Sequence, residues 1–159
     1  MARPSSFSVA LLVGLTLFVA ITSPHVHAED RSPLVVAHEM INAWNARDVD
    51  AIAELFAEDG RFYSMGAPST LRDGRETIRD AWGELLAGVS EIELQLRHIA
   101  VSGNAVFLER LDVFTYKGRE GRVPVACVLE IRDGKVQEWR EYYDHASLLR
   151  EMGVAGGEN

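Results

Sequence analysis

Arg110 and Asp112 stand two residues apart in the run Asn104-Ala-Val-Phe-Leu-Glu-Arg-Leu-Asp-Val-Phe-Thr-Tyr116, whose alternation reads as a β-strand. Strand residues two apart share a face, so the pair points the same way as Val106, Leu108 and Phe114. Charges on an apolar face are costly unless they are paired. A second run, Val136 to Asp144, puts Trp139, Glu141 and Tyr143 on one face and Glu138, Arg140 and Tyr142 on the other. If the two aromatic-bearing faces meet, Arg110 sits between Asp112 and Glu141. Water is a weak nucleophile that needs a base, and a leaving oxygen needs a proton. Two carboxyl groups in different protonation states around one guanidinium can supply both. Burial raises both carboxyl pKa values, the guanidinium lowers them, and differences of position split the pair. The expectation is Asp112 protonated and Glu141 ionised.

Other chemistry is thinly represented. Cys127, the one cysteine, permits no internal disulfide. Its setting, Pro124-Val-Ala-Cys-Val-Leu-Glu-Ile131, is that of a buried strand residue with no base nearby. His38, His98 and His145 fall on different elements without ligand spacing, so no metal site is expected.

The elements that must position these residues follow from pattern. Ser32-Pro33 opens a helix carrying Val35, Val36, His38, Met40, Ile41 and Trp44, and Asp48 caps a short second helix with Ile52, Leu55 and Phe56, ending near Gly60. Arg61 to Met65 reads as a short strand and Gly66 to Thr70 as a loop. Asp73 and Glu76 form a capping box for a third helix through Ile78, Trp82, Leu85 and Leu86, stopped at Gly88. The period then becomes two. Strands are expected at about 91–101, 104–117, 122–132 and 135–144, joined by Gly-containing turns into an antiparallel meander, with a short terminal helix over Ala146 to Met152. The order ααβαββββ describes an α+β domain in which a curved sheet wraps against three helices and encloses a pocket.

Arg3, the apolar stretch from about Val9 to Ile21 and Val26-His-Ala28 read as a secretory signal peptide spanning 1–28, or a membrane anchor if uncleaved. His25 and His27 belong to it. The single mature domain is then 29–159, exported to the periplasm or secreted. Losing Arg3 with the leader takes the net charge from −8 to −9, which argues against nucleic acid or an anionic membrane as partner. Arg140 and Tyr142 on the outer face of the last strand would fit an interface between copies.

The element order, together with Phe56-Ala-Glu-Asp59, Glu109-Arg-Leu-Asp112 and Trp139-Arg-Glu-Tyr-Tyr-Asp144, resembles limonene epoxide hydrolase within the NTF2-like (SnoaL-like) superfamily, over roughly Pro33 to Leu148. The resemblance implies a cone-shaped α+β fold, usually a homodimer, with a deep apolar pocket for a lipophilic small molecule and no cofactor. It implies that Arg110 holds two carboxyls, that Asp112 donates the proton and that Glu141, in place of an aspartate, activates water. The family fixes that water with a Tyr and an Asn two residues apart on the first strand. The ungapped match puts Phe62 and Ser64 there, and a match slid by one puts Tyr63 and Met65.

Strand phase and the family match together nominate Leu85, Val89, Leu94, Phe114, Val123, Val125 and Tyr143 as pocket wall, with Trp139 beside them. Three functions fit: epoxide hydrolysis, non-catalytic binding of a small molecule, and other acid/base chemistry such as cyclisation or isomerisation. The isomerase version wants a carboxylate on the first strand, where this chain has Phe62, Tyr63, Ser64 and Met65.

Overall fold

The first two helices start where their caps put them. In the computed structural model, which describes residues 31–154, Ser32 Oγ accepts from the Val35 N–H and Pro33 opens α1 (Pro33–Ala46), which ends as Arg47 turns left-handed at φ 55°. Asp48 accepts from the Ala51 N–H at 2.9 Å and opens α2 (Val49–Glu54). Helix α1 buries Val36, Met40, Ile41 and Trp44, while Val35 and His38 face outward. The expected leader lies outside the described residues. Among those described, no helix is long and apolar enough to cross a membrane.

Phe56 does not close α2 as its spacing suggests. It begins β1 (Phe56–Ser64), five residues earlier than the pattern indicates. The cause is tertiary: Phe56 pairs with Val136, Val136 N–H donates to the Leu55 carbonyl at 2.9 Å, and the Phe56 ring is fully buried against Trp82 and Trp139. The segment expected as a loop is also a strand, β2 (Ala67–Asp73), paired antiparallel with β1. It lies at the sheet edge, where Pro68 deprives no neighbouring strand of a donor. Asp73 is thereby taken by Arg61, Nε to Oδ1 2.8 Å, and is not the cap of α3 (Arg75–Ala87). Gly74 holds that position at φ 88°, without a side-chain cap.

The remaining strands are β3 (Val89–Ser102), β4 (Ala105–Tyr116), β5 (Arg119–Arg132) and β6 (Lys135–Tyr142), followed by α4 (His145–Met152). The expected meander is present, and β5 starts three residues sooner than its pattern indicates. Lys117-Gly118 and Asp133-Gly134 close their hairpins with both residues at positive φ, the backbone such two-residue turns require. The six strands form a curved, open mixed sheet in the order β2-β1-β6-β5-β4-β3. Strand β1 runs parallel to β6, so Phe62 sits opposite Trp139 and Ser64 opposite Glu141. The concave side holds an aromatic cluster of Trp44, Phe56, Phe62, Trp82 and Trp139, with ring centroids 5.0–6.3 Å apart. Helix α4 lays Leu148 and Met152 over Phe114, Val123 and Val125 and helps close the concavity.

Candidate active site

Alternation along β4 puts Val106, Leu108, Arg110, Asp112 and Phe114 on the concave side, and the β6 phase adds Trp139, Glu141 and Tyr143. Arg110 is 3% exposed and uses every edge of its guanidinium. Nε donates to Asp112 Oδ1 at 2.7 Å and Nη2 to Asp112 Oδ2 at 3.1 Å, a bidentate fork. Nη2 also donates to Glu141 Oε1, and Nη1 to Cys127 Sγ at 3.0 Å. The Trp139 ring backs the cation, with its centroid 5.5 Å from Cζ.

Burial opposes the charge of Arg110, but the Glu141 and Asp112 carboxyls outweigh it and hold the pKa well above its ordinary value. Burial raises the Glu141 carboxyl against the pull of Arg110, and the Asp112 charge adds to the rise. Burial also pushes the Cys127 thiol up to about 12, so it is a neutral acceptor for Arg110 and no nucleophile.

The set opens onto a cavity of about 360 Å³, small but within the range of ligand sites, with a predominantly apolar wall. Leu85, Val89, Leu94, Phe114, Val123, Val125, Tyr143 and Phe62 line it, together with Arg110, Asp112 and Glu141. Trp139, Ser64 and Tyr63 do not. Trp139 is packed behind the wall in the aromatic cluster. Tyr63 points to the opposite face, its hydroxyl 3.4 Å from Glu138 Oε1. Ser64 is inward, 1% exposed beside Glu141, and its Oγ finds no hydrogen-bond partner in the protein. The first strand therefore offers the cavity an apolar ring.

Sequence reasoning missed Trp44, Trp82 and Ile92 in the wall, Leu148, Leu149 and Met152 from α4, and Thr70 and Arg72 from β2. The apolar spacing of α1, α3 and β3 carried a signal for the first group and that of α4 for the second. The β2 pair carried none while that segment read as a loop.

Elsewhere, His98 is exposed and paired with Glu109 at 2.7 Å, and His145 Nδ1 lies 3.4 Å from the Tyr143 hydroxyl at the cavity. Among the described residues, no group of three or more His, Cys, Asp or Glu side chains is placed to hold a metal ion.

The family model for the SnoaL-like domain matches residues 37–139, which include Arg110 and Asp112 and end two residues before Glu141. The chain belongs to that family. Its similarity to the epoxide hydrolase EphG of Mycobacterium tuberculosis is 27% identity over 112 residues, covering 70% of this chain and 73% of that protein. Two solved structures share the fold of this SnoaL-like domain. One is an LEH-like epoxide hydrolase of M. tuberculosis, with TM-score 0.67 and 21% identity over 76% of this chain and 88% of that one. The other is a protein of ketosteroid isomerase-like fold from Catenulispora acidiphila, solved with trimethylamine, with TM-score 0.70 and 22% identity over 81% of this chain and 99% of that one.

Proposed function

We propose that this SnoaL-like domain is a hydrolase that opens an epoxide of a lipophilic small molecule by acid/base-assisted attack of water. The observation that carries the reading is Arg110, buried at the wall of an apolar cavity and joined to two carboxyls that both reach that cavity. One carboxylate takes a proton from water as its oxygen attacks an epoxide carbon. The other carboxyl gives a proton to the ring oxygen as the C–O bond breaks, and Arg110 holds both at the reacting atoms. The apolar wall seats the body of the substrate and excludes bulk water, which strengthens these charge interactions. Similarity to an epoxide hydrolase at 27% identity supports the reading. Export through a leader at 1–28 and pairing of two copies belong to the same proposal.

Diol formation from terpene, styrene and cyclohexene epoxides tests it, with Asp112→Asn alongside. Turnover in the parent protein that is lost in the variant is the expected result. Folded protein that is silent on every epoxide overturns it. The second reading, a binding protein without catalysis, is favoured by the Phe62 ring where a water-holding hydroxyl is implied by the family. Tight retention of an apolar ligand without chemical change would establish it.

A further inference from the structure

We propose that Glu141 is the carboxyl that holds the proton in the resting site and gives it to the epoxide oxygen, with Asp112 as the base that draws a proton from water. The catalytic half of this rests on the hydrolase reading. It reverses the roles that the family resemblance implies.

The guanidinium treats the two carboxyls unequally. Asp112 receives one N–H on each oxygen, and an acceptor on both oxygens is what an ionised carboxylate supplies. Glu141 receives Arg110 on Oε1 alone. A protonated carboxyl suits that arrangement, with Oε1 as the carbonyl-type acceptor and Oε2 carrying the O–H. Glu141 also lines the cavity, so the proton has somewhere to go.

The surroundings of Glu141 withhold help from its charged form. From β1 comes Ser64, opposite Glu141 in the register, whose hydroxyl does not donate to the carboxyl. From β5 comes the neutral Cys127 thiol, from β6 Trp139, from just beyond its end Tyr143, and from the start of α4 His145, whose ring contacts the Tyr143 hydroxyl. Among the described residues, Arg110 is the one side chain that donates to the Glu141 carboxyl. With both carboxyls ionised the buried set would carry a net charge of −1, and a single shared proton removes it. Asp112 is the better solvated of the two, with its side chain 18% exposed against 11% for Glu141. The upward direction of the Glu141 pKa agrees with this placement of the proton.

The step balances. Water oxygen bonds to an epoxide carbon, the carbon–oxygen bond breaks, Asp112 takes the water proton and the Glu141 proton passes to the alkoxide. A vicinal diol leaves, and solvent returns a proton from Asp112 to Glu141.

Infrared spectroscopy of the whole resting protein at neutral pH tests the assignment without a substrate. The protein is labelled with carboxyl-13C glutamate in one preparation and with carboxyl-13C aspartate in another. The expected result is a protonated-carboxyl C=O band that moves down with the glutamate label, stays in place with the aspartate label and disappears in Glu141→Gln. Glu141 is the one buried glutamate among the described residues, so the labelled parent protein decides even where the variant folds poorly. A band that moves with aspartate, or no protonated-carboxyl band at all, overturns the proposal. A glutamate band in a protein without diol formation would leave the proton on Glu141 and remove the hydrolase reading. An aspartate band in an active hydrolase would do the reverse.

Discussion

Of the arginines that bridge more than one carboxylate, Arg110 and Arg140 form sets to which β6 contributes a residue from each of its two faces. On the concave face Arg110 joins Asp112 and Glu141. On the convex face Arg140 joins Glu138 and Glu130, the latter at 2.9 Å. The residue types are nearly the same and the contacts are comparable in length. Solvent separates them, since Arg110 is 3% exposed and Arg140 21%, with Glu130 at 41%. Water around the outer set leaves each charge satisfied on its own, so the contacts fix little beyond strand register. Inside, Arg110 is shut off from solvent and relies on Asp112 and Glu141 for its partners, and burial raises the Glu141 carboxyl pKa. On the hydrolase reading proposed above, that burial is what would let an ordinary ion pair act as acid/base equipment.

Catalysis should divide the two faces most widely. Glu141→Gln and Asp112→Asn are each expected to lower diol formation by about 10²–10⁴-fold, the usual worth of one general acid or base. Glu138→Gln, a step away on the same strand, should leave turnover within about two-fold, since surface changes of this kind seldom matter beyond a few tenths of a kcal/mol. Equal losses at Glu141 and Glu138, measured on the same epoxide, would dissolve the distinction.

Stability should separate them next. Arg110→Ala strands two carboxyls in a low-dielectric wall and is expected to cost about 3–5 kcal/mol in denaturant unfolding. Arg140→Ala should cost no more than about 1 kcal/mol, because its partners fall back on water. An intermediate and equal cost for both would mean that burial does not set the energetics.

A third difference is in the sign of the pH dependence. The folded-state pKa of Glu141 is raised from 4.5, with burial as the first cause. The folded protein therefore holds this proton more tightly than the unfolded chain does. The stabilisation it contributes is complete below about 4.5 and is lost as pH rises through the raised folded value. Unfolding titrations should thus show parent stability falling relative to Glu141→Gln as pH rises from about 4.5. The exposed Asp144, the N-cap of α4, runs the other way. Hydrogen bonds from Ser147 lower its pKa below 3.8, so its contribution is present above that value and fades as pH falls through the depressed one. A Glu141→Gln difference that is flat with pH would contradict the raised value.

The inner set was legible in the sequence because the period of two in β4 and β6 is local. Arg110, Asp112 and Glu141 needed only two strands on the same face. The first strand was not legible, since its extent and phase depend on parallel pairing with β6, some eighty residues later in the chain. Phe56 looks helical in sequence and is pulled into the sheet by Val136 and the tryptophan cluster. Whether Phe62 or Tyr63 faced inward could not be fixed by pattern, because β1 begins five residues before its alternation becomes visible. The same pairing decides what surrounds Glu141. That explains why the set's membership could be read from the chain while the expected protonation of its two carboxyls could not be settled there.

The smallest expected effect probes the outer set directly. A double-mutant cycle of Arg140→Ala with Glu130→Ala should give a coupling of about 0.2–1 kcal/mol at low salt. Raising ionic strength from about 0.1 to 1 M shortens the screening length from about 10 to 3 Å, so that coupling should shrink toward zero. The Arg110–Asp112 coupling should keep more of its value over the same range, because those side chains are 3% and 18% exposed against 21% and 41% for Arg140 and Glu130. Should the inner coupling collapse in salt as the outer one does, the concave site would be freely hydrated. Burial would then give the proton no reason to prefer Glu141.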